Sequence, residues 1–423
     1  MTEWLKRATP EQLSQQRLDL VDPKTLQSVS AIMEEVRKGG DEAVRKYALR
    51  FGDLQADDAL VISRAELEQA LKHISANERA LLERTAARIQ AFADLQRHAI
   101  KEVSTRVPGG TAGHSVSPMD SAGCYAPAGR HPLPSSVLMT AITARVAGVK
   151  QVWVASPKPS VLTKAAAAIA GADALLAVGG AQAIAALAYG TQSVPRCDAI
   201  VGPGNRWVTA AKKLASGQVA IDMLAGPSEL VVLADRSSSP QLLAADLLAQ
   251  AEHDSDAQVI LVSLDEAIFD EVNRELGVQL RDLPTAETAK QALSHSFSVL
   301  AKDEAQAIEI CDALAPEHLQ LSVRDPEPYR KKLRHYGALF SGIAGAEVFG
   351  DYGAGPNHVL PTSGTARITG GLSVLNFLRV RTWLHLDDTR GVATLAKDAT
   401  DFARLEGLEA HARAAELRYQ NSR

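Results

Sequence analysis

From about Gly109 onward the chain alternates short apolar runs with helical segments, and this alternation restricts the possible fold more than any other feature. Residues 135–147 read as a helix, 151–155 as a strand and 160–170 as a helix. Residues 174–178, 181–189, 198–201 and 206–214 continue as strand, helix, strand and helix. The strands are apolar throughout, not at every second residue. Such strands are covered on both faces, so the pattern predicts a mainly parallel sheet flanked by helices. The pattern restarts after Glu229, with strands at 230–234, 259–263, 319–323 and 338–341 and helices at 242–252 and 303–314. The expected class is α/β, with two units of similar size and no sequence repeat between them.

The first hundred residues read as helical. Asp22-Pro23 supplies an N-cap and a proline at the first helical position, opening a helix towards Arg37 that Gly39-Gly40 is expected to end. Ser63-Arg-Ala-Glu66 has the form of a capping box. A long amphipathic helix is expected over about 76–100. None of these segments carries chemistry, and their expected role is packing or subunit contact. After Gly371 the chain reads as a tail with one helix over about 398–418, too short to bury a core alone. The expected organisation is a helical region over 1–108, α/β units over 109–235 and 236–370, and a tail over 371–423.

Lys plus Arg total 45 and Asp plus Glu total 50, a net charge of −5, which gives no basic footprint for nucleic acid. With 46% hydrophobic and 22% charged residues the chain is expected to be globular, neither disordered nor fibrous. No apolar run approaches the ~20 residues that span a bilayer. The start, Met1-Thr-Glu-Trp-Leu-Lys-Arg7, lacks the apolar core of a secretory leader. Cys124, Cys197 and Cys311 form no CxxC pair, so neither a disulfide framework nor a cysteine zinc site is indicated. These features point to a reduced, cytoplasmic enzyme with a small-molecule substrate and neither nucleic-acid nor membrane partners.

Several residues could carry chemistry. Glycine-rich turns follow predicted strands at Val178-Gly-Gly-Ala-Gln182, Val201-Gly-Pro-Gly-Asn205 and Ala225-Gly-Pro-Ser228. In an open α/β sheet ligands bind beyond the carboxyl ends of the strands, where glycine lets the backbone approach a phosphate. Taken singly, each reads first as a plain strand-to-helix turn, three in succession weaken that reading, and no GxGxxG fingerprint is present. Gln250 and His253, three apart on a predicted helix, could share a mixed nitrogen/oxygen metal site or be solvated groups at a helix end. Glu317-His318 could be an acid/base pair or a surface pair. Asp351 and His358 bracket a glycine-rich loop that is either functional or a structural turn. Glu406 and His411 lie on the predicted tail helix, where a solvated face is the default. Cys124 could be a nucleophile for aldehyde oxidation or an inert buried thiol. His131 lies beside the Tyr125 loop and could border the site.

Taken in order, Tyr125-Ala-Pro-Ala-Gly129, Pro134-Ser-Ser-Val-Leu-Met139, Val178 to Gly190, Val201 to Asn205, Ile221 to Glu229, Gln250-Ala-Glu-His253, Pro316-Glu-His318, Asn357 to Thr362 and Glu406 to His411 resemble the histidinol dehydrogenase family. These stretches span about three quarters of the chain. The resemblance implies two incomplete Rossmann-like units and oxidation of L-histidinol to L-histidine through the aldehyde, with two NAD reduced and one zinc bound per subunit. By the same resemblance Gln250, His253, Asp351 and His411 would hold zinc, and these four would also bind substrate together with Ser228, His318, His358 and Glu406. Glu317 would activate water and His318 would be the main proton acceptor, leaving Cys124 without a catalytic task. Tyr125, Gln182 and Asn205 would contact NAD. The tail would cross to a partner subunit, so that each site of a homodimer is shared.

One departure is visible at Ala128, where relatives usually have glycine, and alanine fits poorly where φ is positive. Relatives of this fold also oxidise other small alcohols and diols, including sulfopropanediol. The Gly-Pro-Ser-Glu segment resembles the histidinol type. A non-catalytic nucleotide-binding module is a further alternative, but it would not need the four proposed zinc ligands together.

Overall fold

The computed structural model describes residues 3–14, 21–128, 132–342 and 344–420. Gly129, at the end of the Tyr125 segment, and His131 lie outside the described residues. The chain forms two compact units, one of residues 1–94 and 120–377, the other of residues 95–119 and 378–423.

In chain order the strands are β1 (Lys6–Arg7), β2 (Val61–Ser63), β3 (Val103–Val107), β4 (Gly110–Pro118), β5 (Ser121–Tyr125), β6 (Gln151–Ala155), β7 (Ala174–Leu176), β8 (Ala199–Val201), β9 (Ala220–Ile221), β10 (Glu229–Ala234), β11 (Gln258–Ser263), β12 (Phe297–Leu300), β13 (His318–Ser322), β14 (Ala338–Ser341) and β15 (Leu378–Leu386). The first unit holds two sheets, ordered β2-β7-β6-β5-β8-β9 and β1-β12-β11-β10-β13-β14. Apart from the edge strands β2 and β1, the two share one design. Numbered from β5 or from β10, both run 3-2-1-4-5, the doubly wound order, and every pairing within those sets is parallel.

The strand β10 shows why these runs are apolar at every position. Successive side chains point to opposite faces. Leu230, Val232 and Ala234 pack with Leu243, Leu247 and Val272 on one face. Val231 and Leu233 pack with Ile310, Cys311 and Leu321 on the other. Each large aliphatic buried in this way contributes ~1.5–3 kcal/mol of transfer free energy, and a charge on either face would lose that contribution.

The capping box is present: Glu66 Oε2 accepts from the Ser63 backbone N–H at 2.7 Å, and Ser63 Oγ accepts from the Glu66 N–H at 3.4 Å. Helices at Pro134–Ala147, Gly180–Tyr189, Arg206–Ala215 and Pro240–Ala251 also follow the sequence reading. The first helix does not end at Gly39-Gly40. It runs from Pro23 to Arg50 with a kink at Gly40, where φ is 56°. There the Gln192 side chain accepts from the Asp41 N–H at 2.8 Å and replaces a helical bond. Glycine thus breaks the helix for one residue, and the apolar residues Ala43, Val44, Tyr47 and Ala48 bury its continuation.

The second unit is described by itself. Its strand β15 pairs antiparallel with β4 from Leu378↔Pro118 to Leu386↔Gly110, and β4 pairs with β3. The tail therefore begins with a strand. Its single expected helix is two helices, Ala393–Leu405 and Glu409–Gln420, separated at Gly407 with φ 74°. Arg404 bridges them, bonding Glu409 at 3.2 Å and Glu416 at 2.9 Å.

Candidate active site

Glu317 and His318 are neither at a sheet edge nor on the surface. The strand β13 starts at His318 and lies between β10 and β14, with His318 in register with Leu230. Both side chains are buried, at 8% and 4% exposure. Parallel pairing sets Glu229 opposite Glu317, and the Glu229 N–H donates to Glu317 Oε2 at 2.8 Å. His318 Nδ1 lies 3.0 Å from the Glu229 carbonyl oxygen. A carbonyl can only accept, so in the neutral ring Nδ1 carries the proton and Nε2 keeps its lone pair. That Nε2 is buried with no hydrogen-bond partner, and Asp351 Oδ1 stands 3.7 Å away.

Asp351 ends the short helix Glu347–Asp351. Its Oδ2 lies 3.4 Å from His253 Nε2. His253 is not on a helical face with Gln250, because the helix stops at Ala251 and Glu252 caps it. The turn still leaves both residues in the site. Gln250 is fully buried, and with its amide turned so that the nitrogen faces Glu347 it donates to Oε1 at 2.8 Å. His253, Glu347 and Asp351 each bring a ligand atom within 4.8 Å of the others. His358 joins from the following loop, with Nδ1 3.0 Å from the Asp351 carbonyl oxygen and Nε2 3.3 Å from Ser136 Oγ. Ser136 stands in the first turn of the helix Pro134–Ala147, so this contact brings the β5 sheet to the site. Beside it, Asn357 donates to the Met139 carbonyl at 2.8 Å.

Burial raises the carboxyl pKa of Glu317 to about 8 and those of Glu229 and Glu347 to about 7. Burial alone would also raise Asp351, but the neighbouring His253 and His318 imidazoles hold it well below the usual carboxylate range. Burial alone would lower His318, and the surrounding carboxylates, Glu317 first, push it up instead. His253 is raised by Asp351, while burial lowers His358. Among the described residues the ion-pair partners of Glu317 and Asp351 are histidines.

The loop after β9 closes the site from another side. Thr362 Oγ1 accepts from the Gly226 N–H at 2.6 Å, and Glu229 Oε1 accepts from the Ser363 N–H at 2.8 Å. Ser228 is half-buried in this loop, and its carbonyl accepts from Gln258. Ser363 takes a left-handed backbone, with φ 54°.

Tyr125 ends β5, and Gln182 and Asn205 stand beyond the carboxyl ends of β7 and β8. The Tyr125 hydroxyl accepts from the Gly180 N–H at 3.1 Å. Gln182 Nε2 donates to Asp53 Oδ2 at 3.3 Å, and the same oxygen accepts from the Gly179 N–H at 3.0 Å. Asn205 is exposed and caps the helix Arg206–Ala215 through the N–H groups of Trp207 and Val208. Gly202 packs so closely that a Cβ there would stand 2.0 Å from the Tyr125 carbonyl oxygen. Its peptide is held by a buried pair: Asp222 accepts from the Gly202 N–H at 2.7 Å and Lys212 Nζ donates to the Gly202 carbonyl at 3.0 Å. Among the described residues only Lys158, Ala315 and Ser363 have positive φ outside glycine, so Ala128 meets no such demand.

Glu406 and His411 lie in the second unit and are exposed there, Glu406 as the C-cap of its helix and His411 in the first turn of the next. Cys124 is buried, and burial pushes its thiol up to about 12, which leaves no nucleophilic thiolate. Sequence reasoning gave no role to Glu229, Glu347, Asp53, Lys212, Asp222 or Ser136. Glu347 was detectable only as a lone carboxylate four residues before Asp351. Nothing in the sequence links Lys212 to Asp222.

This fold and site define an α/β enzyme in which a buried acid/base pair adjoins a group of side chains able to hold a metal. The family model for histidinol dehydrogenase matches residues 15–419. Histidinol dehydrogenase of Thermus thermophilus is 47% identical over 94% of this chain and 95% of its own length. That of Pseudomonas aeruginosa is 45% identical over 94% and 91%. The crystal structure of histidinol dehydrogenase from Elizabethkingia anophelis superposes with a TM-score of 0.93 at 31% identity, covering 100% of this chain and 99% of that one. The chain belongs to the histidinol dehydrogenase family, and so to the oxidoreductases.

Proposed function

We propose that this chain oxidises L-histidinol to L-histidine through L-histidinal, the last steps of histidine biosynthesis, in the cytoplasm and with two NAD reduced per turnover. The observation that carries the reading is the buried, unpartnered Nε2 of His318 beside Asp351 and His253. His318 Nε2 takes the hydroxyl proton as the carbinol loses hydride, while the Glu229 carbonyl holds the ring in the required tautomer. Glu317, kept protonatable near neutral pH by burial, takes a proton from the water that adds to the aldehyde before the second hydride leaves.

The donor set fits zinc. Two atoms bound tetrahedrally at 2.0–2.2 Å from one ion lie about 3.3 Å apart, and His253 Nε2 and Asp351 Oδ2 are separated by 3.4 Å. Gln250, His253 and Asp351 would hold the ion, with His411 as a fourth ligand. Zinc, when bound, would fix the imidazole and amine of the substrate. Ser228, His358 and Glu406 would complete substrate binding. The dinucleotide would lie at Tyr125, Gln182 and Asn205. The carboxyl groups of Glu229, Glu317, Glu347 and Asp351 favour a cationic amino alcohol over a sulfonated diol.

The tail supports a homodimer with shared sites. In the second unit Trp383, Leu384, Phe402, Leu405 and Leu417 are exposed, and an apolar surface of this kind marks a partner interface. A second copy would then supply Glu406 and His411. Among the described residues no helix is long and apolar enough to cross a membrane.

Counting NADH formed per histidinol consumed, with and without a chelator, tests the proposal. Two NADH per histidinol, lost on chelation and restored by zinc, is the expected result. One NADH with accumulating aldehyde, or indifference to the chelator, would refute it. Faster turnover of sulfopropanediol would move the chain to the other substrate class. Mixing His411→Ala with His253→Ala chains tests the sharing. A crossed tail restores one intact site per mixed dimer, whereas a tail folded in cis restores none.

A further inference from the structure

We infer, building on the zinc and substrate reading above, that Arg88 clamps the loop between Asp351 and His358 and so fixes the spacing of the two side chains this loop brings to the site. Arg88 is a positioning residue in this arrangement. It acts through the loop backbone and touches neither ion nor substrate.

The loop is fastened at both ends within the site. Asp351 reaches towards His253 and His318, and His358 Nδ1 lies 3.0 Å from the Asp351 carbonyl oxygen. Asn357 donates to the Met139 carbonyl at 2.8 Å and to Thr143 Oγ1 at 3.2 Å. The middle of the loop is fastened from elsewhere, by the helix Ala76–Ala99. Arg88 Nε donates to the Gly353 carbonyl at 2.6 Å, and Arg88 Nη2 donates to Thr85 Oγ1 at 3.4 Å. A guanidinium is always charged and holds its N–H groups in one plane, so it sets the direction of an accepting carbonyl as well as its distance.

Thr85, Arg88 and Phe92 follow one another at three and four residues and share a helical face. The loop backbone lies directly on that face. A Cβ on Gly353, where φ is 83°, would stand 2.3 Å from Thr85 Cγ2. A Cβ on Gly355, where φ is 136°, would stand 3.2 Å from Phe92 Cβ. Glycine at both places permits the close approach and the left-handed backbone together. The helix is itself anchored by the buried Leu82, Ala86, Ile89 and Ala93. A site whose groups are held before binding loses less entropy when it binds, and this clamp supplies that holding for Asp351 and His358.

The test uses the full-length protein and two readouts besides activity. Hydrogen exchange of residues 350–359 in chelator-treated protein reports opening of the loop, and competition with a chromophoric chelator reports zinc affinity. Arg88→Met keeps a long stem and removes the donors. It should speed exchange in 350–359 and weaken zinc about tenfold each, the range of a hydrogen bond to a charged group, while exchange in β10 stays as it was. Arg88→Lys can still donate to the carbonyl and should recover most of both losses. Gly353→Ala forces the loop off Thr85 and should reproduce the Arg88→Met pattern with Arg88 intact. The KM for histidinol should rise in both loosened variants more than kcat falls.

Unchanged exchange in 350–359 for Arg88→Met overturns the clamp. So does faster exchange spread evenly over β10 and the loop, which would make Arg88 a prop of the whole fold. An unsubstituted protein that takes up no zinc overturns the zinc reading instead, and exchange of the metal-free loop still decides the clamp.

Discussion

In the sheet built on β5, Tyr125, Gln182 and Asn205 stand at or beyond the carboxyl ends of β5, β7 and β8. In the sheet built on β10, the buried titratable residues Glu229, Glu317 and His318 stand at the amino ends of β10 and β13. The strand order is the same in both. The difference lies in what fills the crevice where that order reverses. Between β5 and β8 the crevice is edged by glycine. Between β10 and β13, Asp235 occupies it: Oδ2 accepts from the Arg324 N–H at 2.9 Å and Oδ1 from the Ser237 N–H at 2.8 Å. Those N–H groups are the donors a phosphate would need, and a resident carboxylate uses them. Topology offers each sheet a ligand site at one end, and a few side chains decide whether it stays open.

The comparison can be broken most directly at the amino end of β13. His318→Asn should cost ~10²–10⁴-fold in both oxidations and leave the dissociation constant for NAD unchanged. Glu317→Gln should slow histidinal oxidation more than histidinol oxidation in single-turnover assays. A parallel loss of NAD affinity would show that the two sheet ends are not separate.

A second prediction concerns the β5 sheet. Lys212→Met leaves Asp222 buried without its cation, and breaking such a pair costs about 3–5 kcal/mol of stability. Denaturant melts should record that loss. The KM for NAD should rise through the Gly202 loop while zinc affinity holds. A variant with unchanged KM would uncouple the buried pair from the coenzyme end.

The third prediction uses the carboxyl groups near β10. Glu317, Glu229 and Glu347 sit at about 8, 7 and 7 when folded, against a model-compound value of 4.5. The folded state binds these protons more tightly, so their contribution is full below pH 4.5 and is lost as pH rises through 7 to 8. Chelator-treated protein should therefore melt several degrees lower at pH 9 than at pH 6, and zinc should reduce the difference. A flat profile would mean that the metal-free site rearranges. The smallest effect is expected for Ser136→Ala, which removes one contact between the β5 sheet and His358. The KM for histidinol should rise less than about tenfold, within the range of a single hydrogen bond.

The sequence made the strands covered on both faces legible, because apolar continuity has one structural meaning. The kink at Gly40 was not legible, since Gln192, far along the chain, supplies the bond that lets the helix resume. The strand β15 was not legible, because it pairs with β4 across some 260 residues, a partnership without a local signal. Of the residues gathered around His318, those in histidine-bearing segments, His253, His318 and His358, were legible as candidates. Glu347 and Lys212 lie in unremarkable segments and Asp222 in a matching stretch that suggested no role for it, and only folding gives them partners.

The three buried cysteines have a practical consequence. Cys124 and Cys311 have thiols pushed up to about 12 by burial, and Cys197 is raised further. None offers an accessible thiolate to alkylating reagents at neutral pH. A cysteine introduced on an exposed face of the helix Glu409–Gln420 would then be the reactive site on the folded chain. The native protein is thus already a clean background for spin or fluorescent labels, and a distance measured between such labels would test whether two copies of the chain bring their tails together.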